Sequence, residues 1–166
     1  MEFYDVAEMN VNNDLSSRLG YTKIFGPGDI IEIGDKQKRS DSVWIFRGNN
    51  MGEISRAIKG RAIGIVMDSF TVEKSIIEEA AGYGKIICID AGGLCKGERP
   101  QIRKKTIAAK RIFLYAMKAR AEISLVTLAK QKEGLLSSMQ LLALSSLLGA
   151  DPERGRRMAS ALGRFL

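Results

Sequence analysis

Ile63-Gly-Ile-Val-Met-Asp-Ser-Phe-Thr-Val-Glu-Lys-Ser-Ile-Ile-Glu-Glu-Ala-Ala-Gly-Tyr-Gly-Lys-Ile-Ile-Cys-Ile-Asp90 is the stretch that decides the fold. A short apolar run passes through Ser69-Phe-Thr71 into a helical pattern over residues 72–81, which Gly82 and Gly84 terminate, and a second apolar run follows. A strand buried on both faces loses the apolar/polar alternation of a half-exposed one, and a helical crossover makes its neighbours parallel. The stretch therefore reads as one βαβ unit.

Outward from it the pattern repeats. Strands are expected over residues 3–9, 22–25, 30–33, 43–46, 63–67, 86–89 and 123–128. Asn12-Asn13-Asp14 caps a short helix ending at Gly20, and Gly48-Asn-Asn50 opens another ending at Gly60. Pro100 sits at the start of a long helix, Ser137 and Ser138 open one over residues 139–148, and Asp151-Pro152 starts a last one. The expected fold class is α/β, a (β/α) arrangement of about seven largely parallel strands forming one domain over residues 1–166. Eight-stranded barrels usually take about 200 residues or more. Either the connections are trimmed, as at the short turn Gly26-Pro-Gly28, or the sheet is open.

Composition narrows the chemistry. At 45% apolar content, 166 residues build a sizeable core. No run of about 18 uncharged apolar residues is present to span a bilayer, and Met1-Glu-Phe-Tyr-Asp5 is too acidic and polar for a signal peptide, so a cytoplasmic protein without a membrane partner is expected. Cys88 and Cys95 stand seven apart with no histidine anywhere, which is not zinc-ligand spacing. The Ile-Ile-Cys-Ile setting of Cys88 reads as a buried reduced thiol. Without histidine there is no Ser-His-Asp or Cys-His machinery and no imidazole proton shuttle. Catalysis would fall to carboxylates, lysine or a carboxylate-bound metal. Glu8, Asp68 and Asp90 follow apolar runs, at the strand ends where α/β folds place ligands. They read either as Mg²⁺ ligands or a general base, or as helix caps. Gly92-Gly93 reads as a phosphate-approaching turn or simply a turn.

The charge is not spread evenly. The segment from Arg99 to Ala121 carries eight Lys or Arg and no acid; without those eight, the chain's 26 basic residues become 18 against 19 acids. On a helical wheel Ile102, Thr106, Ala109, Phe113, Ala116 and Met117 form a core-facing stripe, with Arg120 on the same side. Lys104, Arg111 and Lys118 line the opposite side, flanked by Arg103 and Lys110, with Arg99 and Lys105 near the start. Ordinary solvated helices mix both signs for i,i+4 pairing, so an unmixed row points to an anionic partner. Further cations stand at Lys36, Lys38 and Arg39, at Arg56, Lys59 and Arg61, and at Arg154, Arg156 and Arg157. Trp44, Phe46 and Tyr115 read as core or sheet residues, so base stacking on aromatics is poorly supported.

The order of elements resembles the archaeal ribonuclease P protein component 3 family, homologous to the thirty-kilodalton subunit of the eukaryotic enzyme. The resemblance is carried by Phe3-Tyr4-Asp5-Val6 with Asn10-Val11, by Ile54-Ser55-Arg56-Ala57, and by Gly64-Ile65-Val66-Met67-Asp68. It continues in Gly84-Lys85-Ile86-Ile87-Cys88-Ile89-Asp90, the basic segment from Arg99 to Arg120, Ile123-Ser124-Leu125-Val126-Thr127, and Leu148-Gly149-Ala150 before a terminal Arg/Ala helix. The chain departs from the family at Thr127-Leu128-Ala129, where a small polar turn is usual, and around Gly134-Leu135-Leu136, which lacks the usual arginine. The resemblance implies a reduced TIM-barrel-like fold and a subunit of ribonuclease P that helps a catalytic RNA remove the 5′ leader from precursor tRNA. Implied partners are ribonuclease P RNA, precursor tRNA and companion protein subunits. No catalytic residue, metal site or cofactor is expected in the protein itself, with Mg²⁺ expected on the RNA. The expected RNA-binding residues are Arg99, Arg103, Lys104, Lys105, Lys110, Arg111 and Lys118 from the charge pattern, and Arg56, which matches a recurrent family arginine. The alternatives are a small TIM-like enzyme acting on a phosphorylated metabolite through Asp68 or Asp90, and an assembly module docking its basic helix on an acidic protein.

Overall fold

A computed structural model describes residues 2–27, 29, 31–36, 42–67 and 73–165, apart from the side chains of Glu32, Arg164 and Phe165. Among the described residues seven strands are formed: β1 (Tyr4–Val6), β2 (Lys23–Phe25), β3 (Ile31–Gly34), β4 (Val43–Gly48), β5 (Gly64–Met67), β6 (Ile86–Asp90) and β7 (Glu122–Val126). The helices are α1 (Asn13–Arg18), α2 (Met51–Lys59), α3 (Lys74–Gly82), α4 (Ala91–Leu94), α5 (Arg99–Ala119), α6 (Ser138–Leu148) and α7 (Pro152–Ser160), with 3₁₀ turns at Lys132–Gly134 and Ala161–Phe165. Asn12, Asn50, Ser137 and Asp151 cap their helices as expected, each accepting from a backbone N–H.

Strands β3 to β7 pair in chain order, and β1 pairs with β2; every pair is parallel. The two sheets meet where β1 lies beside β7: the Leu128 N–H donates to the Val6 carbonyl at 3.0 Å and the Glu8 N–H to the Ala129 carbonyl at 2.8 Å. The wall thus runs β2-β1-β7-β6-β5-β4-β3, a TIM-barrel-like curl. Among the described residues no ladder joins β2 to β3. The connections are short, and among the described residues no helix separates β2 from β3 or β3 from β4.

Alternation of side chains explains why the strands read as unbroken apolar runs. Val6, Phe25, Ile45, Val66, Cys88 and Val126 belong to an interior cluster, while Ile24, Phe46, Ile65, Ile87 and Leu125 pack with the helix layer. The interior is filled, with Leu162 of the Ala161–Phe165 turn inserted into it. A Cβ on Gly163 would fall 2.3 Å from the Tyr4 ring, so this turn is pressed against the start of β1. The barrel is a packed core rather than a pore.

One residue fastens β1 to β7. Asp5 is fully buried and accepts three hydrogen bonds, from the Val6 N–H at 2.7 Å, the Thr127 N–H at 2.8 Å and the Thr127 hydroxyl at 2.6 Å. Burial pushes its carboxyl up from 3.8 to about 6, against the lowering effect of those bonds. From the other side, the Thr127 carbonyl rests on Gly92, where a Cβ would sit only 2.1 Å away. Gly92-Gly93, expected as a turn, instead forms part of the short helix α4; the Thr127 contact requires Gly92, while a Cβ on Gly93 would fall 2.5 Å from the Asp90 carboxylate.

Because the folded-state pKa is raised, the stability Asp5 contributes is fully present below about pH 4 and is lost as the pH rises through about 6. Asp5→Asn, which keeps the acceptor and cannot ionise, should remove a fall of about 3 kcal/mol between those limits. Urea unfolding of both proteins across pH 4 to 7 checks this, and equal pH profiles would refute it. Gly92→Ala should lower stability by about 1–3 kcal/mol at any pH in the same assay.

Candidate nucleic-acid interface

Helix α5 starts with Pro100 in its first turn and Gln101 reaching back to accept from the Glu98 N–H at 3.4 Å. Its buried face is Ala109, Ile112, Phe113 and Ala116. Ile102, Thr106 and Met117 of the expected stripe are half-buried, and Ile112 joins the buried set. This face packs on α3 and β7.

The other side is exposed and positively charged. Arg99, Arg103, Lys104, Lys110, Arg111 and Lys118 are all exposed, and among the described residues none has an ion-pair partner. Some cations on the other helices are paired: Lys59 with Glu79 at 3.2 Å, Lys74 with Glu78 at 3.0 Å, Arg154 with Asp151 at 3.5 Å, and Arg157 with Glu153. Arg18, Arg56 and Arg156 likewise have no ion-pair partner among the described residues, and α5 is set apart by carrying six such cations on one helix that has no acid. Two rows form, Arg103–Lys110 and Lys104–Arg111–Lys118. Between them stand Ile107 and Leu114, 46% and 53% exposed. Sequence reasoning missed this apolar crest, although the spacing of seven from Ile107 to Leu114 was there to read.

Three cations are placed differently. Lys105 is half-buried, and its ammonium donates to the Gly93 and Lys96 carbonyls at 2.9 and 2.7 Å, anchoring the end of α4. Arg120, expected on the core-facing side, is exposed. It adopts a left-handed conformation at φ 57°, so the wheel no longer describes where it points. Arg56 is exposed on α2, with α3 between it and α5, and its Nε donates to the Gly52 carbonyl of its own helix at 3.3 Å. The structure does not bring Arg56 to the α5 rows. Lys38 and Arg39 lie outside the described residues.

Of the three strand-end carboxylates, the two that are described are both engaged. Glu8 is bonded to Arg47 of β4 and lies 3.5 Å from the Lys130 ammonium, so ion pairs occupy the C-terminal mouth of the barrel. Asp90 caps α4, its Oδ1 accepting from the Gly93 N–H at 2.7 Å. Asp68 lies outside the described residues. Cys88 is buried inside the barrel, where burial pushes its thiol up to about 12; Cys95 is exposed, its thiol also raised by desolvation. Among the described residues no group of three or more His, Cys, Asp or Glu is placed to hold a metal ion, and no helix is long and apolar enough to cross a membrane.

No family model matches the sequence, and neither does any curated protein. Solved structures do share its shape. A chain of the cryo-EM structure of archaeal ribonuclease P with mature tRNA superposes with a TM-score of 0.71 over 98% of this chain and 78% of that one, at 11% sequence identity. The ochratoxinase of A. niger superposes with a TM-score of 0.51 over 72% of this chain, at 18% identity, and the matched part is 29% of that enzyme chain. These likenesses establish a TIM-like α/β fold.

Proposed function

We propose that this protein is a subunit of ribonuclease P, assisting the catalytic RNA in removing the 5′ leader of precursor tRNA alongside companion protein subunits. The observation that carries this reading is the pair of unneutralised cation rows on α5. Their charge suits a polyphosphate backbone, and a chain of archaeal ribonuclease P shares the fold over nearly the whole length. Arg99, Arg103, Lys104, Lys110, Arg111 and Lys118 are the proposed phosphate contacts. Lys105 is left out because its ammonium is already bonded to two carbonyls, and Arg56 because it stands on another helix. The isolated chain is non-catalytic in this reading, with Mg²⁺ held by the RNA; Glu8 and Asp90 are engaged in an ion pair and a helix cap.

A second reading, an assembly module docking on an acidic protein, is favoured by the exposed Ile107 and Leu114 between the cation rows. Nuclease treatment of a native complex separates the two. Loss of association points to RNA, and retention points to a protein partner.

Each phosphate contact contributes about 0.7–0.9 to the salt dependence of binding. The Lys104→Glu/Arg111→Glu variant should therefore bind ribonuclease P RNA more weakly, with a slope shallower by about 1.4–1.8. It should also demand more Mg²⁺ in reconstituted cleavage of precursor tRNA. Wild-type cleavage at wild-type salt and Mg²⁺ would sink the assignment. Lys105→Met is the control: thermal stability should fall by a few degrees while the salt slope stays unchanged.

A further inference from the structure

At the C-terminal end of α5 the surface opens into a cavity of about 420 Å³ between that helix and α7. Its lining includes the apolar residues Met117, Ile123 and Met158 together with Arg120, Arg154 and Arg157. Glu122 places a carboxylate in the same lining. This volume falls within the range of small-ligand sites, whose apolar walls bind a ring while a few polar groups fix its orientation.

The arginines show which kind of ligand fits. Arg154 and Arg157 pair outward with Asp151 and Glu153, each through one terminal nitrogen, leaving the rest of each five-donor fork available. Arg120 has no ion-pair partner among the described residues. It also stands in the left-handed conformation, at φ 57°, where glycine is the usual occupant of a helix C-terminus. Keeping an arginine there strains the backbone. The position thus holds a free cation where a glycine would be more stable, in a cavity lining that also holds apolar residues.

The location adds a second constraint. Lys104, Arg111 and Lys118 form a row about 21 Å long on the helical rise, and Arg120 lies just past its end. The row ends at Lys118, two residues before Arg120 in the cavity lining. A flat ring with polar edges and an attached phosphate matches the lining. Methionine side chains adapt to a planar face, and a guanidinium binds phosphate or stacks on a base.

We propose that this cavity binds one unpaired nucleotide of the RNA followed by α5, with the base against Met117 and Met158 and the phosphate on Arg120. The proposal rests on the RNA-binding reading and extends it from charge neutralisation to capture of a base outside the helical stack.

The test uses the full chain and two RNA hairpins at low salt, identical except that one carries a single bulged 2-aminopurine. Wild-type protein should bind the bulged hairpin about tenfold more tightly than the paired one, consistent with the energy of stacking one base. The 2-aminopurine fluorescence should change on binding. Arg120→Gly removes the guanidinium and relieves the strained backbone, so it should fold at least as stably. It should abolish most of the preference while binding the paired hairpin within about twofold of wild type. Equal wild-type affinity for the two hairpins, or a preference that survives Arg120→Gly, overturns the pocket and leaves the RNA-binding reading standing. Failure of wild-type protein to bind either hairpin overturns both.

Discussion

The fold depends on joining its two ends, and the junction is the buried carboxylate of Asp5 bonded to Thr127, 122 residues away. Strand β1 would otherwise lie at the edge of a two-stranded ribbon, and such a ribbon is marginal by itself. Three hydrogen bonds offset the desolvation of Asp5, and the same Thr127 rests on Gly92 through its carbonyl. One residue of β7's extension therefore positions both the first strand and the helix that follows β6. Removing the carboxylate would orphan the donors of Thr127 and Val6 in a dry site, where each unmade bond costs about 1–3 kcal/mol.

Packing inside the curled wall bears on where the protein can meet a partner. Among the described residues the interior side chains of the strands pack together, with Leu162 inserted among them. At the C-terminal mouth, the usual site of TIM-barrel chemistry, Glu8 is bound to Arg47 and near Lys130, and Asp90 is turned into α4 as a cap. What the barrel presents is its outer layer. There α5 is held by Ala109, Ile112, Phe113 and Ala116, which leaves its cations pointing outward without acids to answer them. Like charges on one face repel unless something neutralises them, and that electrostatic cost is the physical argument for an anionic partner.

Local signals carried much of this in the sequence. The βαβ reading of residues 63–90 depends on a run length, a helical period and two glycines, all readable within one window. The caps at Asn50, Ser137 and Asp151 are equally local, and so is the charge of α5. Features set by distant residues were hidden. Asp5 looks like an ordinary polar residue until Thr127 is beside it. Lys105 looks like its neighbours until its ammonium is found between two carbonyls. Arg56 seemed to extend the basic patch, but α3 intervenes, and that depends on helix order around the barrel. Arg120 was misplaced because a helical wheel assumes a helix, and the chain leaves the helix at that residue. Asp90 admitted two readings from sequence, and its bond to Gly93 shows it acting as a cap.

Cross-linking within a reconstituted ribonuclease P particle tests the central claim most directly. Ultraviolet irradiation followed by peptide mapping should place RNA adducts on the outer face of α5, between Arg99 and Lys118, and leave the Glu8–Arg47 mouth unmodified. Adducts concentrated at the mouth, or an α5 with no adducts in an active particle, would contradict the account.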